Sequence, residues 1–334
     1  MNLQRFFAVF KARNIEFFRD RSSLGWNLFF PVLMLVGLSF IFSGDGRPSY
    51  KIGVIELSKV EAPFIQTRHI EFIGYKEVEI AKSKLANHSI DLLIDFAKQT
   101  YWVNEQAPNS YLAEKIFLAE NQSFIRQQTQ GKKIRYVDWV LPGILGMNMM
   151  FSCLFGVGYV IVRYRKNSVL KRLKATPLSA FEFVSAQLLS RLFIVLFMSC
   201  VVYIGCNLFF DFYMLGHYFD LLVVGVLGAF SLITLGLLVA SRSKSEELIG
   251  GLLNLTSWPM MLMSGVWFSL EGAPNAVKVL ADFFPLTHLV AGARKIITEG
   301  ATLADISYHL GVLVVMSTVF LILGAYLFSW NTER

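Results

Sequence analysis

The chain has 334 residues, 54% of them hydrophobic and 16% charged, with 30 Phe and a formal net charge of +7. Charge this sparse, absent over long stretches, excludes one soluble core of this size and makes lipid the main solvent. The basic residues flank apolar runs, as in cytoplasmic loops of membrane proteins, so nucleic acid is not expected as a partner.

Residues 3–18 read as an amphipathic helix. Leu3, Phe6, Phe7, Phe10, Phe17 and Phe18 fall near one face, and Arg5, Lys11, Arg13 and Arg19 favour the other. Such a helix lies in the membrane interface with its cations among lipid phosphates. A plain anchor and a partner-contacting role are both open.

A spanning helix needs about 20 mostly apolar residues to cross about 30 Å of hydrocarbon. Six windows meet that requirement: 24–43, 139–162, 184–210, 219–241, 248–270 and 308–330. The first is not expected to be a signal peptide, because its apolar run is long and a charged, aromatic segment, 1–23, precedes it. Orientation follows from Lys and Arg in the short flanks. The N-terminal segment carries Arg5, Lys11, Arg13, Arg19 and Arg21, and the loop after the second window carries Arg163, Arg165, Lys166, Lys171, Arg172 and Lys174 without an acid. The turn 211–220 has no Lys or Arg. Both termini are therefore expected on the cytoplasmic side.

Residues 44–135 are expected to form a small α/β domain outside the membrane. Strands are read at 50–57 and 69–73, short helices at 58–66 and 77–87, and a strand pair at 90–96 and 100–104. A long helix over 109–130, with Leu112, Ile116, Ala119 and Phe124 near one face, is expected to lead into the second span. No nucleophile–base pair, phosphate loop or metal cluster stands out there, and His69 and His88 read as isolated surface residues. The three cysteines, Cys153, Cys200 and Cys206, lie in apolar windows at no ligand spacing and read as small apolar residues.

Between the second and third windows, residues 163–183 read RYRKNSVLKRLKATPLSAFEF. Val169, Leu170 and Leu173 share a helical face ringed by Lys171, Arg172 and Lys174, and Pro177 ends the helix. A loop that only sets topology needs charge but no such compact helix, so a peg for a cytoplasmic partner is favoured. After the fifth window, Pro274 and Pro285 break a moderately apolar segment, which is expected to dip into the outer leaflet and return. The span centres hold almost no ionisable residue, unlike those of an ion-coupled carrier. Arg191, several residues into the third window, is expected to snorkel to the cytoplasmic face as an interfacial anchor, with a substrate contact as the less favoured reading. No GxxxxGK[ST] phosphate loop occurs, so any uphill transport must be driven from another chain.

Three stretches carry a resemblance across essentially the whole chain: YVDWVLPGILGMNMMF at 136–151, LKRLKATPLSAFEFVSAQLLSR at 170–191 and FFPLTHLVAGARKII at 283–297. They are similar to the permease subunit of an ATP-binding-cassette exporter of the type-2 family, which shares its architecture with the ABCG transporters. The resemblance implies a polytopic α-helical membrane protein with six spans and a small extracytoplasmic α/β domain at 44–135. Residues 1–23 would hold an elbow helix, about 163–177 a coupling helix, and about 272–290 an external re-entrant segment.

It implies ATPase-coupling roles for Val169, Leu170, Lys171, Arg172, Leu173, Lys174, Thr176 and Pro177. The second and fifth helices would line a substrate path with Met147, Asn148, Met149, Asn254, Thr256, Ser257 and Met260, although lipid-facing Met and satisfied Asn are equally economical. The chain itself would be neither an enzyme nor a holder of a cofactor, with ATP and Mg on a separate ATPase. Two ATPases, a second permease and a periplasmic membrane-fusion protein are the implied partners, in a bacterial inner membrane. Many relatives carry an acid and Gly-Thr where this chain has Arg165-Lys166-Asn167-Ser168, so individual ATPase contacts do not carry over. A membrane-anchored sensor or scaffold, its outer domain binding a ligand or partner, is the alternative.

Overall fold

A computed structural model describes residues 3–41, 50–57, 62–67, 70–86, 90–105, 107–121, 123–129, 135–241, 245–268, 270 and 275–328. The chain divides into two compact units, one of Met1–Ser39 with Val137–Arg334 and one of Phe40–Tyr136. In chain order the elements are α1 (Leu3–Arg19), α2 (Arg21–Ile41), β1 (Tyr50–Ile55), a 3-10 turn (Pro63–Gln66), β2 (Ile70–Tyr75), α3 (Val78–Ala86), β3 (Leu92–Asp95), β4 (Thr100–Asn104), α4 (Pro108–Glu120) and β5 (Ile125–Thr129). They continue as α5 (Tyr136–Lys166), α6 (Val169–Lys174), α7 (Ala180–Phe210), α8 (Tyr218–Ala240), α9 (Glu246–Met263), α10 (Asn275–Asp282), α11 (Pro285–Glu299) and α12 (Ser307–Leu327).

The smaller unit is an α/β sheet ordered β2-β1-β3-β4-β5. β1 runs parallel to β2 and β3, β3 is antiparallel to β4, and β4 is parallel to β5. Every position of β3 and β4 is buried, because alternate side chains enter separate cores on the two faces. Ile52, Val54, Leu92, Ile94, Tyr101 and Val103 meet Phe64 and Phe117 on one face, while Leu93 and Trp102 meet Ala81, Leu85 and Ile90 on the other.

The long helix expected over 109–130 is overturned. α4 stops at Glu120, and Ile125–Thr129 becomes β5. Two forces favour the strand. Phe124 turns back to stack edge-on against Phe117 and Phe96, at 5.0 and 5.6 Å between ring centroids. The free edge of β4 also recruits backbone partners, beginning with Ile125 N–H donating to the Gln99 carbonyl at 2.8 Å. Arg126 then reaches Glu114, as Tyr101 does, at 2.7 and 2.9 Å. His69 and His88, read as surface residues, and most of the expected 58–66 helix before its 3-10 turn lie outside the described residues.

In the larger unit four helices are long and apolar enough to cross a membrane: α5, Phe181–Phe210 within α7, α8 and α12. α10 and α11 meet at a 94° bend and, taken as one broken span, make a fifth. α2 and α9 occupy the first and fifth expected windows as helices of 21 and 18 residues. The described apolar stretch of α2 is Asn27–Val36. α9 opens on Glu246 and Glu247 and carries Asn254, Thr256, Ser257 and Pro259, which dilute its apolar character. α8 is the centre of the unit, packing against α7, α11 and α12.

α1 is amphipathic, but not as the wheel suggested. Phe6 and Phe17 are buried, Phe7 and Phe18 are exposed, and Arg13, expected among lipid phosphates, is buried. Arg13 donates to Glu16 at 2.5 Å and to the Tyr164 hydroxyl at 3.1 Å. These two partners offset the cost of burying the cation.

Candidate functional site

The basic turn begins where α5 runs out. Asn167 N–H donates to the Arg163 carbonyl and Ser168 N–H to that of Arg165, and Ser168 then adopts φ 56°, a left-handed conformation that breaks the helix. The resulting α6 is six residues, shorter than the expected 163–177 because α5 keeps residues 163–166. Thr176 Oγ1 donates to the Leu173 carbonyl at 2.6 Å, closing the turn ahead of Pro177. Ser179 and Glu182 form a reciprocal capping box that starts α7.

Within this turn Leu170 is fully buried, Val169 and Leu173 are half-buried, and Lys171, Arg172, Thr176 and Pro177 are exposed. Lys174 lies on α6, but its side chain is outside the described residues. Leu170 of the expected docking face thus anchors the turn to its own chain, while Val169 and Leu173 keep part of their surface open. The outward surface is cationic. Arg5 of α1 donates to the Pro177 carbonyl, bracing the turn from a second side.

The neighbouring helix ends are tied together. Arg165, 3% exposed, donates to the carbonyls of Ala240 at 3.4 Å and Ser241 at 3.0 Å, satisfying the open C-terminus of α8. Lys166 pairs with Glu246 at the start of α9 at 3.6 Å.

Side chains of α1, α2, α5, α7 and α9, with Asp20 and Trp267, line a cavity of about 730 Å³. Of the expected path residues, Met147 and Asn148 line it. Met149 and Met260 belong to the apolar core, and Ser257 is buried with its hydroxyl donating to the Asn254 carbonyl at 3.4 Å. Thr256 donates to the Leu252 carbonyl of its own helix at 2.8 Å, and Asn254 is exposed. α9 contributes Trp258 and Met261 to the lining instead.

Residues not singled out from the sequence supply most of the wall. Phe151, Phe155 and Tyr159 form a ladder along α5 with 5.7 Å between successive centroids. Their spacing of four was the available signal. Phe17, Phe30 and Trp267 add aromatic surface, and Arg13, Glu16, Asp20 and Arg163 add charge.

Arg191 corrects an expectation. It does not snorkel; it is 8% exposed and lines the cavity. Nε and Nη2 both donate to the Ser152 carbonyl, the former at 2.8 Å, and Nη2 also donates to Ser152 Oγ at 2.8 Å. The guanidinium lies 5.5 Å from the Phe17 ring centroid. Space for it comes from Gly156, where a Cβ would coincide with its Cζ and Nη2. These three hydrogen bonds offset part of the cost of taking the guanidinium out of water.

At the opposite end of α5, Arg294 of α11 stacks over Trp139 at 3.9 Å and donates to the carbonyls of Trp139 and Gly265, at 3.2 and 2.8 Å. The Val266 carbonyl comes so close to α5 that a Cβ on Gly143 would meet its oxygen at 2.6 Å. Trp139 and Gly143 of α5 and Arg294 of α11 therefore meet at Gly265–Val266 in one joint.

No group of three potential metal ligands occurs among the described residues. The cavity can hold a bulky body with apolar and charged parts, and the basic turn can present cations to an acidic surface.

Residues 21–326 match the family described as ABC-2 family transporter protein. The chain is also 24% identical over 182 residues to the linearmycin resistance permease protein LnrN of Bacillus subtilis (strain 168), covering 52% of this chain and 46% of that protein. It thus spans about half the length of that curated relative.

Proposed function

Because the chain belongs to the ABC-2 family of transporter proteins, we propose that it is the permease subunit of an ATP-driven exporter, working as a dimer with two separate ATPase subunits. The observation that carries this reading is the outward cationic surface of α6, with Lys171 and Arg172 exposed on a turn held from within by Leu170. Its role is to seat on the ATPase, which would hold ATP and Mg. The ties from Arg165 and Lys166 would pass movement of that turn to α8 and α9.

In this reading α2 and α9 join α5, α7, α8 and α12 as six spans. The α10–α11 pair is the re-entrant element, and both termini face the cytoplasm of a bacterial inner membrane. The α/β unit, about 44–135, is extracytoplasmic and offers a surface to a membrane-fusion protein. The cavity takes substrate between the permeases. Its aromatic ladder and its charges suit a large amphiphile, and the relative named for resistance to linearmycin supports efflux of a toxic compound.

The test is affinity purification of the full chain from its native host in mild detergent, with mass spectrometry and an ATPase assay. A stoichiometric ATPase subunit is expected with the wild type and not with Lys171→Glu/Arg172→Glu. Recovery of the chain alone, under conditions that preserve a known transporter complex, would overturn the reading.

A further inference from the structure

α1 has a second concave side. Residues Arg13, Glu16, Phe17 and Asp20 face the cavity, whereas Phe10, Lys11, Asn14, Ile15, Phe18 and Arg19 line a groove of about 440 Å³ closed by Phe193 of α7. The groove wall is aromatic. Phe10 lies 6.4 Å from Phe193, Phe18 lies 5.8 Å from Phe197, and Phe193 stacks on Phe197 at 6.2 Å. Such a surface accepts methylene chains.

The rim has a different chemistry. Lys11 and Arg19 are exposed and stand eight residues apart, about 12 Å along the helix axis. Neither has a hydrogen bond or ion pair among the described residues, whereas Arg13 and Arg5 of the same helix are engaged. No acid lines the groove. Between the two cations sits Asn14, whose Nδ2 donates to the Phe10 carbonyl at 2.9 Å.

The groove therefore asks for a ligand with an anion for the two cations and an apolar chain for the rings. A soluble anion meets only the first demand, and a zwitterionic lipid brings a cation of its own to a rim that already carries two.

We propose that this groove binds one anionic glycerophospholipid, its phosphodiester between Lys11 and Arg19 and an acyl chain along Phe10, Phe18 and Phe193. The site requires only that α1 lies at the membrane surface, and it stands or falls separately from coupling to an ATPase.

Native mass spectrometry of the full chain, stripped of endogenous lipid in detergent, tests this directly. The probes are phosphatidylglycerol and phosphatidylcholine with identical acyl chains, titrated in equal amounts. The wild type is expected to retain one phosphatidylglycerol preferentially. Lys11→Gln/Arg19→Gln should weaken that adduct roughly fivefold for each cation removed, about 25-fold in all. Lys84→Gln/Lys115→Gln, the same charge loss in the α/β unit, should leave it unchanged. Equal retention of the two lipids by the wild type would overturn the proposal, as would an equal loss in the Lys84/Lys115 control. Displacement of the lipid by millimolar glycerol phosphate would assign the rim to a soluble anion instead, and would also overturn it.

Discussion

Gly156→Ala should reverse its sign depending on what occupies position 191. In the wild type the added methyl takes the place of the Arg191 guanidinium, which must leave its three hydrogen bonds to Ser152 while remaining enclosed at 8% exposure. Hydrogen bonds to a charged group contribute about 1.5–3 kcal/mol each, and separating a buried charge from its partners costs about 3–5 kcal/mol. Because all three bonds share one pair of residues, the cost falls at the lower end, about 3 kcal/mol.

In Arg191→Leu the guanidinium is absent and the obstruction goes with it. There the same change becomes a glycine-to-alanine replacement inside a helix, worth about 1 kcal/mol in the stabilising direction. The cycle therefore carries a coupling of about 4 kcal/mol, well above the 0.3–0.5 kcal/mol scatter typical of independent sites. Thermal unfolding of the four purified proteins in one detergent, followed by tryptophan fluorescence at a fixed scan rate, reads it out. The expected result is a fall of about 6–12 °C on the wild-type background and a rise of about 2–4 °C on Arg191→Leu. Loss of stability by the same amount on both backgrounds would refute the claim that Gly156 exists to admit the guanidinium.

Leu170→Ala should lower stability by about 2–5 kcal/mol, since a fully buried leucine is truncated. Lys171→Glu/Arg172→Glu should instead leave the melting temperature unchanged and abolish ATPase recovery; the opposite pattern would return Leu170 to the docking surface. Gly143→Val should loosen the joint between α5 and the end of α9, seen as faster proteolysis near Val266, because its Cβ meets the Val266 carbonyl. In the α/β unit, burial first and the hydrogen bond to Glu114 second push the Tyr101 phenol up to about 12 from 10.0. The folded unit then holds that proton more tightly than the unfolded chain, so the stability it contributes is intact below pH 10 and lost as pH rises toward 12. Tyr101→Phe should flatten the alkaline loss monitored by Trp102 fluorescence, and an unchanged slope would show that another group titrates.

Much of the helical unit was legible because its elements are long and uniform. Apolar windows located α5, α7, α8 and α12 to within a few residues, and proline placed the α10–α11 break. Failures cluster where a residue has two plausible solvents. Arg13 and Arg191 were assigned to the interface by their charge, yet each found partners inside, and nothing local in the sequence announces Tyr164 or Ser152 as that partner. Leu170 was placed on an outward face because α6 was read as an isolated helix, which has no inside. The 109–130 segment failed for a related reason: helix periodicity through Phe124 is real, but the open edge of β4 is a tertiary demand that no local pattern reveals. At the cavity, methionine and asparagine drew attention as unusual residues in a span, whereas the aromatic ladder of α5 looked like ordinary span composition.

The two-sidedness of α1 has a thermodynamic corollary. Groove and cavity are lined by opposite flanks of one helix about 10 Å across, so a guest on either side rests on the same support. If a guest on one flank shifts the rest position of that helix, it changes the binding free energy of a guest on the other, and linkage requires the effect to be equal in both directions. Membrane composition then acts as an effector of cargo affinity, and cargo as an effector of which lipid the protein keeps.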